Sequence, residues 1–307
     1  MADIVSLGEP LFEFNQVPGS DDYRQGFGGD TSNFAVAAAR AGASVAYLTR
    51  VGDEPFGRRF VEMWRAEGID TSAVELDAGA PTGLYFISHG PAGHVFSYRR
   101  AGSAASLMRF TDAFAARVAS ARLLHVSGIS QAIGTAACDC VFDAIAHARA
   151  HGVRVSYDLN YRPALWPAAR ARAVAQATIA LADVFLPSLD EAKLLFGIDE
   201  PRAVIAHAHA LGARAVAVKM GARGAIVSDG AAITQVPAPA VDAVDATGAG
   251  DCFAGVLAAR LVAGAAFADA ARAACAGAAL STTGFGAVDP LPTWPRIAAQ
   301  MARARAA

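Results

Sequence analysis

Apolar positions along the 307-residue chain follow two rhythms, one mixed and one regular. Asp3-Ile-Val-Ser-Leu7 is a short apolar run stopped by Gly8-Glu9-Pro10, which predicts a buried strand. Residues 11 to 15 alternate apolar and polar, as a half-exposed strand does. Gly26-Phe-Gly-Gly-Asp30-Thr-Ser-Asn33 then reads as a flexible loop feeding an alanine-rich helix from about Phe34 to Ala41. Its glycines either end a strand or, with the polar cluster behind them, meet hydroxyls of a ligand; both readings stand. Residues 45 to 49 predict a strand, and residues 56 to 67 a helix closed by Gly68. The alternating runs at 82 to 88 and 94 to 100, joined by Gly90-Pro-Ala-Gly93, predict a hairpin. With the strand at 11 to 15 it predicts a small sheet apart from the core, a natural cover for an active site.

From about residue 120 the rhythm becomes regular. Apolar runs at 122 to 126, 153 to 157, 184 to 186 and 215 to 219 alternate with helical patterns, which implies an α/β fold with a parallel sheet buried on both faces. Ligands of such sheets bind at the carboxyl ends of the strands. There the chain places Ser127-Gly128, Asp158-Leu-Asn160-Tyr-Arg162, Ser188 with Glu191, and Lys219-Met-Gly221-Ala-Arg-Gly224. Arg162 precedes a proline and so is expected in extended or turn backbone. It either forks onto an anion or pairs with Asp158 or solvent. The Lys219 segment is equally a plain hairpin or a turn whose glycines admit a nucleotide.

Asp245-Ala-Thr-Gly248-Ala249-Gly250-Asp251 precedes the apolar helix pattern from Cys252 to Val262. Glycines at that point let successive amides converge at a helix start, which favours an anion. Asp251 beside such a nest is placed to accept a proton from a hydroxyl that attacks phosphorus. A tight turn with an aspartate cap is the alternative that these seven residues alone leave open.

Composition narrows the classes. The sequence is 54% hydrophobic and 18% charged, with a formal charge of −2, which offers no field for nucleic acid or an acidic membrane surface. The four cysteines match no zinc spacing, Cys138 and Cys140 are expected on different helix faces, and unpaired thiols suit a reducing compartment. No basic region or long apolar run precedes Ile4, so no signal peptide is expected, and Arg260, Asp269 and Arg272 interrupt the most apolar tract. A cytoplasmic protein is expected. His147 with His151 and His207 with His209 lack a metal-binding frame. No serine elbow, P-loop or dinucleotide fingerprint appears.

Gly28-Gly29, Lys219-Met-Gly-Ala-Arg-Gly-Ala225 and Asp245 to Asp251 together resemble the ribokinase-like (PfkB) carbohydrate kinases. The likeness spans nearly the whole chain and implies one kinase unit over residues 1–307. Its fold would be a three-layer α/β/α core with a mainly parallel central sheet, under a small β-sheet lid formed by about 11–28 and 82–101. It implies ATP and Mg²⁺, with a monovalent cation left open, Asp251 as catalytic base, and Gly248, Ala249 and Gly250 as the anion hole. Within that family Gly26-Phe-Gly-Gly-Asp-Thr, Gly83-Leu-Tyr85, Ser127-Gly-Ile-Ser130 and Asp158-Leu-Asn-Tyr-Arg-Pro-Ala-Leu-Trp166 look like the 2-keto-3-deoxygluconate kinases. That branch implies a sugar acid held by Gly29, Asn33, Tyr85, Tyr98, Arg100 and Arg162, with a fructokinase or other neutral-sugar kinase as the alternative. It also implies nucleotide contacts from Asn160, Ser188, Lys219, Gly221 and Gly224, and Glu191 acting on Mg²⁺ through water. Thr283-Gly-Phe-Gly-Ala287 departs from relatives that carry an acidic residue there. A homo-oligomer through the lid is implied, with Leu84, Phe86 and Phe96 expected to face the second subunit.

Overall fold

The computed structural model describes residues 2–17, 19–90 and 93–306. The strands are β1 (Ile4–Leu7), β2 (Leu11–Gln16), β3 (Tyr23–Gly28), β4 (Val45–Leu48), β5 (Arg50–Gly52), β6 (Glu75–Asp77), β7 (Gly83–Gly90), β8 (Gly93–Arg99), β9 (Leu123–Ser127), β10 (Arg154–Asp158), β11 (Val184–Leu186), β12 (Ala215–Lys219), β13 (Ala225–Ser228) and β14 (Ile233–Val236). The helices are α1 (Asp30–Arg40), α2 (Pro55–Ala66), α3 (Asp112–Ala119), α4 (Gly128–Ala132), α5 (Thr135–Ala150), α6 (Ala168–Ile179), α7 (Leu189–Phe196), α8 (Pro201–Leu211), α9 (Ala249–Val262), α10 (Phe267–Ser281) and α11 (Trp294–Ala306).

An eight-stranded sheet runs β14-β13-β12-β11-β10-β9-β1-β4. Its strands are parallel from β12 to β4, and β13 and β14 are antiparallel at one edge. Most of the parallel strands are short and largely apolar because helices cover both faces. Ile4 packs in the layer with α1, α9 and α10, while Val5 and Leu7 pack in the layer with α3, α5, α6, α7 and α8. The result is the parallel sheet buried on both faces that the strand and helix rhythm predicts, in the three-layer α/β/α form that the resemblance implies. None of the helices of the described residues is long and apolar enough to cross a membrane.

A separate four-stranded sheet has the order β3-β2-β7-β8. Period 2 divides its residues between two faces. Phe12, Phe14 and Phe27 lie on one face and meet Phe56 and Phe60 of α2, with ring centroids 4.8 to 5.9 Å apart. Leu84 and Phe86 share that face, because Phe12 pairs with Leu84 and Phe14 with Phe86 in register. Glu13, Tyr85 and Tyr98 lie on the other face.

Two expectations change. Residues 26 to 33 are not a loop: β3 continues to Gly28 and α1 begins at Asp30, ahead of the expected start near Phe34. Gly26, Phe27 and Gly28 pair with Glu13, Phe12 and Leu11, so a strand ladder satisfies the backbone that glycine-rich composition had suggested was irregular. Leu84, Phe86 and Phe96 do not share a face either. Phe86 stacks on Phe14 at 5.1 Å, whereas Phe96 pairs with Ile87 across the sheet and is 45% exposed. Cys138 and Cys140, expected on different faces, are both buried, since α5 packs on the sheet and also against α3 and α4. All four thiols are free. The 90–93 connection lies partly outside the described residues.

Candidate active site

Parallel strands bring their carboxyl ends to one edge of the sheet, and the start of α1 and the start of α9 meet there. Gly29 makes the first of these turns at φ 95°. A Cβ on it would lie 2.3 Å from the Glu9 carbonyl oxygen and 2.7 Å from Pro10 Cα. Both neighbours are backbone and cannot move aside. Gly29→Ala is therefore expected to lower stability by about 2 kcal/mol or more, through positive-φ strain plus displacement of α1; urea unfolding measures it, and a loss below half that value would show that the turn relaxes.

Asp30 and Asn33 follow on the first turns of α1. The Asn33 Nδ2 donates to Asp251 Oδ2 at 2.8 Å, and the Asn160 Nδ2 donates to Asp30 Oδ2 at 3.0 Å. Asn160 holds this pose at φ 36°, unusual for a residue other than glycine. Asn33 Oδ1 is buried without a hydrogen-bond partner.

Asp251 sits in the first turn of α9, behind Gly248, which caps the helix in the left-handed region at φ 74°. The loop ahead is pinned by Asp245: Oδ1 accepts from the Thr247 amide at 2.9 Å and hydroxyl at 2.7 Å, and Oδ2 accepts from the Gly286 amide at 2.9 Å. The Ala249 amide donates back to the Ala246 carbonyl at 3.2 Å. The amides of Gly250 and Asp251 precede the first i to i−4 bond of the helix, which Cys252 makes to Gly248 at 2.8 Å. Burial, reinforced by the charge of Asp30, pushes the Asp251 carboxyl up to about 8, and the Asn33 amide opposes that rise.

Lys219 ends β12 and reaches across the strand ends to Asp158 Oδ2 at 2.6 Å, the carboxylate buried and the lysine side chain 14% exposed. The same ammonium lies 3.5 Å from where a Cβ on Gly250 would be, so it also borders the start of α9. Burial pulls Lys219 down, but Asp158, Glu191 and Asp251 together outweigh it and raise its pKa. Burial lifts Asp158 to about 6 against the pull of Lys219. Gly221 and Gly224 bracket a single tight turn between the antiparallel β12 and β13, so the hairpin reading of that segment describes its backbone.

Ser188 and Glu191 form a capping box on α7: the Glu191 amide donates to the Ser188 hydroxyl at 3.1 Å and the Ser188 amide to Glu191 Oε2 at 2.9 Å. Glu191 Oε1 faces Arg162 at 3.3 Å, so the partner of that arginine is Glu191 and not Asp158. Arg100 pairs with the buried Glu9 at the end of β1, while its own Nε is buried without a partner. Burial raises the Asp30 carboxyl, and the Ser127 hydroxyl, the Thr31 amide and then the charges of Arg100 and Arg162 oppose that rise. Tyr85 hydrogen-bonds Glu13, stacks on Tyr98 at 5.9 Å, and Tyr98 in turn lies 5.4 Å from the Arg100 guanidinium.

Glu9, Glu13 and Asp30 stand among these groups without having been singled out as site residues. Glu9 follows the apolar β1 directly, and Glu13 sits opposite Tyr85 in register, so period and strand end carried the signal. Asp30 was hidden because residues 26 to 33 read as a loop. Among the described residues no three metal-ligating side chains gather, and His147 packs on both His151 and Phe110.

A half-buried acid beside a glycine-capped helix start, at the carboxyl edge of a parallel sheet and next to a small second sheet, defines a small-molecule kinase. The profile described as pfkB family carbohydrate kinase matches residues 1–294, and the chain belongs to that family. The chain is similar to the 2-dehydro-3-deoxygluconokinase of Thermoproteus tenax, with 36% identity over 99% of this chain and 95% of that protein. The 2-dehydro-3-deoxygluconokinase of Escherichia coli (strain K12) is 34% identical over 86% of this chain and 89% of its own. A crystal structure of fructokinase with bound ATP from Xylella fastidiosa matches with a TM-score of 0.87 and 26% identity, covering 99% of this chain and 100% of that one.

Proposed function

We propose that the protein transfers the γ-phosphoryl group of ATP to 2-dehydro-3-deoxy-D-gluconate, giving the 6-phosphate, with Asp251 taking the proton of the attacking hydroxyl. The observation that carries this reading is the Arg100 guanidinium: buried, beside Tyr98, and with an unused Nε donor next to the site. An arginine fork with a spare N–H suits a carboxylate substrate. The names of the similar proteins support the same substrate class.

In this reading the chain supplies position and charge, since phosphoryl transfer needs little covalent help from the protein. Gly29, Asn33, Tyr85, Tyr98, Arg100 and Arg162 hold the sugar acid under the small sheet, which acts as a lid formed by about 11–28 and 82–101. Amides at the start of α9, from Gly248 and Gly250, face the phosphoryl oxygens, and the Ala249 amide joins them on leaving the Ala246 carbonyl. Asn160, Ser188, Lys219, Gly221 and Gly224 line the nucleotide. Mg²⁺ supplies charge neutralisation on the nucleotide oxygens. The ion would be held mainly by phosphates and water, with Glu191 reaching it through water. Val95 and Phe96 on the edge strand β8 are 58% and 45% exposed, and we assign that edge to a homo-oligomer.

A neutral ketose is the second reading, favoured by one observation: Arg100 already pairs with Glu9 and Arg162 with Glu191, so neither arginine is an uncompensated cation. The arginines decide between the two. For a sugar acid, Arg100→Ala is expected to raise KM for the acid by about 100-fold, from the loss of a charge-assisted fork worth roughly 3 kcal/mol, and Arg162→Ala by a smaller factor because it is half exposed. KM for fructose should change little in both. Equal losses on acid and ketose would favour the neutral-sugar reading.

A further inference from the structure

Arg40, the last residue of α1, serves two parts of the molecule at once. Its Nε and Nη2 donate to the Glu67 carboxylate at 3.0 and 2.6 Å, just past the end of α2. Its Nη1 turns the other way and donates to the carbonyl oxygens of Val288 at 3.0 Å, Asp289 at 3.3 Å and Leu291 at 2.8 Å, in the connection between α10 and α11. Residues 282 to 293 of that connection are turns and irregular backbone, so their carbonyls depend on donors from outside a ladder. An ion pair with Glu67 occupies only one edge of the guanidinium; the other edge goes to backbone.

The opposite end of this strap is the wall of the anion site. The Thr282 carbonyl accepts from the amides of Val244 at 2.7 Å and Asp245 at 3.1 Å, and the Gly286 amide donates to Asp245 Oδ2 at 2.9 Å. A Cβ on Gly248 would lie 3.1 Å from the Ala287 carbonyl oxygen and 3.3 Å from its Cα, so the strap lies against the residue that caps α9. Asn33, about 10 Å ahead of Arg40 on the same helix, holds Asp251. Between the two, α1 and α9 meet through backbone: a Cβ on Gly255 would come 2.6 Å from the Phe34 carbonyl oxygen and 2.9 Å from the Ala38 amide nitrogen. One helix therefore supports the base directly and the loop ahead of α9 through the strap. We infer that Arg40 is a positioning residue for phosphoryl transfer: by fastening residues 288 to 291 to α1, it keeps the amides at the start of α9 in register with the base that Asn33 holds. The assignment rests on the kinase reading above. Arg40 acts through the strap, so its loss misplaces groups that matter in the transition state and leaves the lid's hold on the sugar intact. A misplacement of about 1 Å at such groups costs up to about 100-fold in rate.

The test sets Arg40→Met against Glu67→Ala in the full chain. The first frees the strap and the second removes only the tie to α2. With ATP and 2-dehydro-3-deoxygluconate at pH 9, where Asp251 is ionised, Arg40→Met should lower kcat by about 30-fold with KM for the sugar within about threefold. Glu67→Ala should keep kcat within about twofold of wild type, although both variants unfold at lower urea. Hydrogen exchange reads the strap without turnover: peptides covering 244–250 and 282–291 should exchange faster in Arg40→Met and at the wild-type rate in Glu67→Ala. Arg40→Met combined with Glu67→Ala, which leaves no unpaired carboxylate, serves should the single variant fail to fold. Equal losses of kcat in the two single variants would make Arg40 a structural ion pair between α1 and α2 and overturn the inference. So would a slow Arg40→Met whose strap exchanges like wild type, or an Arg40→Met with normal kcat. A wild type that turns over no sugar overturns the kinase reading and the catalytic role with it, while exchange still decides whether Arg40 fastens the strap.

Discussion

Asp251→Asn is expected to lower kcat by about 10³-fold or more while leaving KM for ATP and for the sugar within a few-fold. A positioned general base contributes about 10² to 10⁴, and the amide keeps the shape of the carboxyl while losing its ability to take a proton. Asn33 still has an acceptor in the variant, since the new carbonyl oxygen replaces Oδ2 as the partner of its Nδ2. Initial-rate kinetics with ADP detection measure the effect. Turnover within tenfold of wild type would remove Asp251 from proton transfer.

The pH dependence follows from the same group. Burial lifts the Asp251 carboxyl from 3.8 to about 8, so in the free enzyme most of it is protonated at neutral pH. The base works only when ionised. kcat/KM of the wild type should therefore rise with pH toward a plateau above about 8, and Asp251→Asn should show a flat, low profile. The sign for stability is opposite to that of a salt-bridged aspartate. An acid whose pKa rises on folding costs stability wherever the unfolded chain is already ionised. That cost grows between about pH 4 and pH 8, so Asp251→Asn should be more stable than wild type above pH 8 and no different near pH 3. Why a protein keeps such a group is plain from its surroundings: a carboxyl held against Asp30 and away from water is a stronger base than a free one.

Much of the architecture was legible because the central strands are covered on both faces. A strand with helices on both sides must be apolar throughout, as Leu123–Ser127 and Ala215–Lys219 nearly are, and such runs are easy to see. The small sheet was legible by alternation, yet only in part. Tyr23–Gly28 carries two glycines and three exposed residues and reads as loop, although it pairs along its whole length with β2. Its pairing is supplied by a partner strand that local pattern does not reveal. Gly26 has a local reason that appears only in three dimensions: a Cβ would come within 3.1 Å of the Glu13 carboxylate across the ladder. At the site, residues that end strands or start helices were visible, as Asp251 and Lys219 were. Which charges pair was not. Glu9 meets Arg100 from 91 positions away, and Lys219 meets Asp158 across 61, distances over which no periodicity speaks. Asp30 lay in a stretch that reads as loop, and its partner Asn160 is 130 residues further on.

Lys219→Met should be the most destabilising change at the site, by about 3 to 5 kcal/mol at pH 8, because it leaves Asp158 buried without its counter-ion. The cost is pH-dependent in a definite direction. Asp158 already has a raised pKa, and without Lys219 it rises further, so the penalty is small near pH 4, where the carboxyl is protonated in the folded protein and about half protonated in the unfolded chain, and full once the pH passes the folded-state value. Urea unfolding at pH 4.5 and pH 8 reads the difference. The double variant Lys219→Met with Asp158→Asn removes both charges and should recover most of the lost stability, since a buried pair is often worth little more than a neutral replacement. It should not recover turnover. The ammonium borders Gly250 at the start of α9 as well as Asp158, and the charge it brings to that point has no substitute in methionine. A double variant that regains stability but stays at least 100-fold slow in kcat separates the two duties of Lys219; one that regains both would reduce the lysine to a counter-ion for Asp158.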